Sequence, residues 1–209
     1  MKYIYTILMG INLIKNVFSA NSISYGSILK DAIVLNTRMP TLYLKNELNI
    51  DKNIYRSAYS MEHILPRSFL DKTHYNDMHN IAKTINELNT VRSNYKYVDE
   101  NYINTTRNTE WVGLQHDNIV NHKQRLFIPN HCSRGFIARA LLYMSYEYEY
   151  SLKKIIDTEV LKKWFYQYPP SKNELYHNKI VCDIQKKDNI FISKYNKKCK
   201  KIHQYLSSI

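Results

Sequence analysis

Apolar and polar positions along the chain switch between a period near two residues and one near 3.6, so short strands and helices are interleaved. Residues 25–35 carry Ile28, Leu29, Ala32 and Ile33 on one side at helical spacing, which predicts a first helix. Tyr59 to Leu65 reads as an extended run stopped by Pro66, because proline removes a ladder donor and biases Leu65 away from helix. Asp77 to Ala82 predicts a second short extended run. Thr84 is then expected to cap a helix reaching about Asn94, with Glu87 three residues on completing a capping box. Further along, Ile137, Ala140, Leu141, Met144 and Tyr148 share one face of a helix over 133–148. Ser171 and Glu174, just after Pro169-Pro170, predict a helix start for 171–184. No internal repeat and no long linker interrupts this order.

The strand, loop, strand, helix succession matters for the polar residues it carries. The first strand ends in Glu62-His63, the second run holds Asn80, and the helix carries Asn89 and Arg92. On that helix Ile85, Leu88 and Val91 form one stripe and Asn86, Asn89 and Arg92 the next, so an apolar side can face the core while a polar side faces Glu62-His63. The chemistry this suggests is metal-assisted hydrolysis of a phosphodiester. A histidine with an unperturbed pKa near ~6.5 can take a proton from water at neutral pH. A hard cation such as Mg²⁺ needs only one or two protein oxygens and keeps several waters, which Glu62 and Asn89 can supply. A guanidinium such as Arg92 or Arg139 can hold a nonbridging phosphate oxygen in a fork.

Composition adds a partner and removes some chemistries. The 209 residues hold 30 Lys+Arg against 18 Asp+Glu, a net charge of +12, with 44% hydrophobic residues. That apolar content supports an ordinary core and excludes a disordered basic tail. The excess charge therefore sits on a folded body, which points to a polyanion, either nucleic acid or an anionic membrane face. Four glycines leave no glycine-rich phosphate loop, so no nucleotide cofactor is expected. Three widely spaced cysteines, Cys132, Cys182 and Cys199, describe neither a zinc ribbon nor a disulfide framework. Cys132 and Cys182 can pair in an oxidising compartment, and three free thiols are the alternative.

The ends are distinctive. Lys2 precedes an apolar run from Tyr3 to Ile14 in a segment that ends at Ala20, which resembles a short secretory signal but for Asn12, Lys15 and Phe18. The alternative is an N-terminal amphipathic helix, and the run is too short to span a bilayer. A secreted chain would also expose the Asn104-Thr105-Thr106 sequon. At the other end, seven lysines against Asp188 between residues 186 and 201 give a net +6, half of the whole. That segment is either a solvated tail or a nonspecific phosphate clamp.

The blocks MEHILPRSF (61–69), DMHNIAKTINELNTVRSNY (77–95), FIPNHCSRGFIARALLYM (127–144), WFYQYPPSKNELYHNKIV (164–181) and NIFIS (189–193) together resemble the endonuclease I family. Those are nonspecific nucleases of the His-Me finger, or ββα-metal, class, and the blocks occur in the family's order over about residues 24–193. The resemblance implies an α+β fold, mostly helical, a single domain built around a ββα-metal motif. It implies residues 1–22 as a signal peptide or N-terminal extension, 23–193 as the nuclease domain, and 194–209 as a basic tail. It makes His63 the general base, Glu62 and Asn89 the metal ligands, and Asn80 a support for base and substrate. Arg92 becomes a candidate phosphate contact, Arg67 and Arg134 become nucleic-acid contacts, and Arg139 in the Ala-Arg-Ala block is either a phosphate contact or a structural residue; His79 reads as a packing neighbour. The implied cofactor is Mg²⁺, with Mn²⁺ or Ca²⁺ as alternatives. The implied partner is DNA, with RNA as a second substrate, for a monomer without stable membrane insertion. Location follows the N-terminal run: secreted if it is a working signal, otherwise intracellular. Phe136 and Ile128 stand where relatives often have acidic residues, and His177 stands where arginine is more usual; the first two are expected to remove negative charge near the basic helix. The rivals are an inactive basic nucleic-acid-binding protein of the same fold, and a membrane-surface protein anchored by both ends.

Overall fold

The computed structural model describes residues 41–45, 59–105, 110–196 and 199–209. The helix expected over 25–35 and the apolar N-terminal run lie outside the described residues. Strands β1 (Tyr59–His63) and β2 (Ile81–Ile85) pair antiparallel, with Glu62 opposite Ala82 and His63 opposite Ile81. Helix α1 (Asn86–Arg92) follows β2 directly and packs back on β1. These three elements form the ββα motif on which the site is built.

Two local expectations differ from what forms. Only the end of the run from Asp77 to Ala82 is strand, because Met78–Asn80 is a 3-10 turn capped by Asp77, whose carboxylate accepts from the His79 N–H at 2.9 Å. An aspartate that captures the N–H two residues ahead gives the chain an alternative to the ladder. Thr84 caps nothing: it lies inside β2, and its hydroxyl donates to the Leu42 carbonyl at 2.9 Å. Residues 41–45 run beside β2, with the Leu42 N–H on the Lys83 carbonyl at 2.7 Å, so a distant partner takes the hydroxyl that the local capping box needed. Helix α1 starts without a side-chain cap, on Ile85.

A second sheet follows from β3 (Lys96–Tyr97), β4 (Val112–Gly113), β5 (Ile119–Asn121) and β6 (Leu126–Ile128), in the order β3-β6-β5-β4. β3 runs parallel to β6 and the other pairs are antiparallel; the short helix α2 (Asn101–Thr105) lies between β3 and β4. The centre of the molecule is α3 (His131–Tyr148), capped by the Asn130 side chain, whose Oδ1 accepts from the Ser133 N–H at 3.1 Å. Every residue from Ser133 to Met144 is buried, so this helix is enclosed on all sides and not just along the expected stripe. Helices α4 (Thr158–Gln167), α5 (Lys172–Gln185) and α6 (Ile190–Ser193) complete the helical layer, with α4 and α6 against α3. α5 begins where expected, the Ser171 hydroxyl accepting from the Glu174 N–H at 3.1 Å.

Part of the basic C-terminal segment is not a solvated tail. Residues Lys200–Ser208 form helix α7, whose Ile202 and Leu206 are buried in the main core. Phe136 and Ile128 are also inside, 5% and 1% exposed, so they alter packing and do not change the charge of the surface. All three cysteines are free, and the Cys132–Cys182 pair does not form. Among the described residues no helix is long and apolar enough to cross a membrane.

Candidate active site

The end of β1, its exit loop and the end of α1 enclose a cleft of about 380 Å³, lined by Met61, Glu62, His63, Pro66, Arg67, Asn89 and Ser93. His63 is the last residue of β1, and its Nε2 lies 2.9 Å from the Tyr75 carbonyl oxygen. A carbonyl only accepts, so Nε2 carries the ring proton of the neutral imidazole and Nδ1 is the basic nitrogen. The loop presenting Tyr75 is itself tied down. The Tyr150 hydroxyl accepts from the Asp71 N–H at 2.8 Å and bonds His74 Nδ1 at 2.7 Å, while the His74 ring stacks on Tyr148 at 3.9 Å. The tautomer of His63 is thus set by backbone that aromatic side chains hold in place.

Glu62 is 3% exposed. The Tyr43 hydroxyl donates to its Oε1 at 2.8 Å, and Arg92 Nη1 approaches the same oxygen at 2.8 Å. Arg92 also donates to the carbonyls of His63 at 3.0 Å and Ile64 at 2.6 Å, with its guanidinium 4.4 Å from the Tyr97 ring. One buried guanidinium therefore pins the end of α1 to the exit of β1. Burial pushes the Glu62 carboxyl above its ordinary pKa against the pull of Arg92 and the Tyr43 hydroxyl. Burial alone would lower the Arg92 guanidinium, but the Glu62 charge beside it takes it above its usual value. Burial, then the Glu62 charge, holds the Tyr43 hydroxyl well above the normal phenol range, so it keeps its proton and serves as a hydrogen-bond donor to the carboxylate.

From α1, Asn89 donates through Nδ2 to Ser60 Oγ at 2.8 Å and the Met61 carbonyl at 3.4 Å. Its carbonyl oxygen is then the atom it can offer to the cleft that it lines. One carboxylate and one amide oxygen beside a polar cleft suit a hard divalent cation that keeps most of its waters. Among the described residues no group of three or more His, Cys, Asp or Glu side chains is placed to hold a metal. Arg67 is exposed at the rim, its guanidinium 4.3 Å from the Tyr75 ring centroid.

A family model described as Endonuclease I matches residues 13–196. The chain belongs to the endonuclease I family. An extracellular deoxyribonuclease of Aeromonas hydrophila is 33% identical over 124 residues, covering 56% of this chain and 49% of that protein. A periplasmic deoxyribonuclease of the same organism is 34% identical over 119 residues, covering 56% and 47%. The Endonuclease-1 of Buchnera aphidicola is 27% identical over 119 residues, covering 57% and 45%. The chain spans about half the length of the curated relatives it matches.

Of the residues that the resemblance to endonuclease I singles out, the structure brings Glu62, His63, Asn89 and Arg67 to one cleft. Four others do not line that cleft. Asn80 is fully buried, its Oδ1 accepting from the Leu65 N–H at 2.7 Å and its Nδ2 donating to the Leu65 carbonyl at 3.0 Å, so it clamps the exit of β1. Arg92 is spent on Glu62 and backbone carbonyls and presents no fork to a phosphate. Arg134 pairs with Glu100 and the Pro129 carbonyl, and Arg139 grips Glu174 at 2.5 and 2.7 Å and the Tyr168 carbonyl at 2.5 Å. Both are at most 2% exposed and act as ties within the core. His79 packs on Tyr143 and bonds the Lys187 carbonyl, as a packing neighbour would. The residues that sequence reasoning missed are Tyr43, Tyr75 and Tyr97. Nothing local marks them among 19 tyrosines, because their roles arise only when distant segments meet.

Proposed function

We propose that this endonuclease I family member is a metal-dependent endonuclease that hydrolyses the DNA backbone with little sequence preference, and that RNA is a second substrate. The observation that carries this reading is the shared cleft: His63 with its tautomer set by Tyr75, Glu62 and Asn89 offering two oxygens, and Arg67 at the rim. His63 Nδ1 takes a proton from a water as that water's oxygen attacks phosphorus; the bond from phosphorus to the leaving oxygen breaks, and the leaving oxygen gains a proton from solvent. Arg67 holds a nonbridging phosphate oxygen. Glu62 and Asn89 would hold Mg²⁺, which when bound stabilises the charge that grows on the phosphate and leaving oxygen. Arg92 favours the charged form of Glu62 against its burial and aligns it, yet it also offsets the carboxylate's charge, so affinity for the cation is expected to be modest.

Three relatives are named as deoxyribonucleases or endonuclease, which supports DNA as substrate. Two are named extracellular or periplasmic, and with Lys2 and the apolar run from Tyr3 to Ile14 this supports secretion. The test is a panel of supercoiled plasmid, linear duplex, single-stranded DNA and single-stranded RNA, each with Mg²⁺, Mn²⁺, Ca²⁺ or chelator. Cleavage of DNA that needs a divalent cation and yields no fixed fragment pattern is expected. No cleavage with any cation, or full activity in chelator, would overturn the reading.

A further inference from the structure

Five arginines lie among the described residues, and burial sorts them into two kinds. Arg92, Arg134 and Arg139 are buried on Glu62, Glu100 and Glu174. Arg67 and Arg125 are exposed, make no ion pair with a described carboxylate, and each lies over a tyrosine ring, Tyr75 at 4.3 Å and Tyr95 at 5.0 Å. An exposed guanidinium lying over an aromatic face is steadied there yet keeps its charge for a ligand.

These two arginines are connected along the surface. Arg67 and Ser93 line the cleft. Their chain neighbours Ser68 and Asn94 bond to each other at 3.4 Å, and Arg125 Nη2 donates to Asn94 Oδ1. Beyond Arg125, the Tyr95 hydroxyl meets His122 Nδ1 at 3.3 Å. Arg125 comes from the turn between β5 and β6, where its φ of 58° is a left-handed backbone rarely used by non-glycine residues. The turn is fixed by the Gln124 N–H on Asn121 Oδ1 at 2.9 Å. A left-handed arginine kept in an ordered turn is the sort of local cost that sites tolerate when the side chain has a use.

We propose that this track, from Arg67 through Asn94 to Arg125 and Tyr95, is an extended subsite for the nucleic-acid strand as it leaves the cleft. Arg67 and Arg125 each take a backbone phosphate of the same strand, and the Arg125 guanidinium stacks on a base of a single-stranded segment. This rests on the nuclease reading and adds to it: cleavage needs the cleft, whereas affinity grows with strand length along the track.

The test measures binding and cutting separately on the full chain. Fluorescence anisotropy with labelled single-stranded oligonucleotides of about 4 and about 16 nucleotides, in chelator so that nothing is cut, gives the gain in affinity with length. In Arg125→Ala that gain should shrink by about tenfold, and the slope of log affinity against log salt should flatten by about 0.7, one single-strand phosphate. Arg125→Lys should keep the salt slope and still lose most of the gain, since lysine carries the charge without the plane. Equal losses on both lengths, or a gain as large as in the wild type, would overturn the subsite. Plasmid nicking by the wild type with Mg²⁺ is read alongside: its failure counts against the nuclease reading, and its presence with an unaltered length gain in Arg125→Ala counts against the track alone.

Discussion

Removing the Arg92 guanidinium would leave the Glu62 carboxylate buried beside two tyrosine hydroxyls without its counter-charge, and would free the carbonyls of His63 and Ile64. Breaking a buried pair from one side costs about 3–5 kcal/mol. Arg92→Ala is therefore expected to lower the urea midpoint by an amount matching several kcal/mol, as well as abolishing activity. A variant that loses activity at wild-type stability would instead make Arg92 a phosphate ligand. The same logic applies to Arg139→Ala, which should unfold easily because Glu174 is left 2% exposed and unpaired. At this scale the sequence shows Glu62, His63 and Asn89 well, since they sit on adjacent elements of one short motif. It does not decide the arginines: residue type and motif position are the same for a phosphate contact and for a core ion pair, and only the distant partners Glu62, Glu100 and Glu174 tell them apart.

Helix α3 carries its lesson in Gly135. A Cβ at this position would sit 2.7 Å from the Tyr168 Cβ and closer still to its carbonyl oxygen, which Arg139 also grips. The glycine in the Arg-Gly-x-x-Ala-Arg-Ala block is there so that the end of α4 can approach the helix backbone. Gly135→Ala should cost about 3 kcal/mol from overpacking, read as a drop in Tm; a Tm within a degree of wild type would mean that the Tyr168 segment moves aside freely. Elements were legible where pattern and caps agree, as in β1 and at Ser171 for α5. They were misread at Asp77 and Thr84, where one side-chain oxygen decides between turn, strand and cap, and where Leu42 supplies a partner that local pattern cannot show. The four-stranded sheet stayed hidden because its strands are two or three residues long, too short for an alternation to register.

Over the whole molecule, buried histidines set the response to acid. Burial lowers the pKa of His79, opposed by Asp77, and takes His177 from 6.5 to about 3. Below about pH 6.5 the unfolded chain gains a proton on each that the folded chain does not, so these groups cost nothing at higher pH and erode stability as pH falls toward 3. The urea midpoint should drop between about pH 7 and about pH 4.5, and His177→Gln should flatten that drop; an unchanged slope in the variant would contradict it. The net charge of +12 is now better placed: some of the C-terminal lysines ride on the docked helix α7, and Lys187 pairs with Glu147 at 2.7 Å. The charge suggests a polyanion, and the cleft is what supports the proposal that its backbone is cut. The most direct test is the conversion of supercoiled plasmid by wild type and His63→Ala, with Mg²⁺ and with chelator, on proteins shown to share one Tm. The account predicts metal-dependent nicking by the wild type and a rate lower by roughly 10³-fold or more without the imidazole. Equal nicking by the two proteins would contradict it.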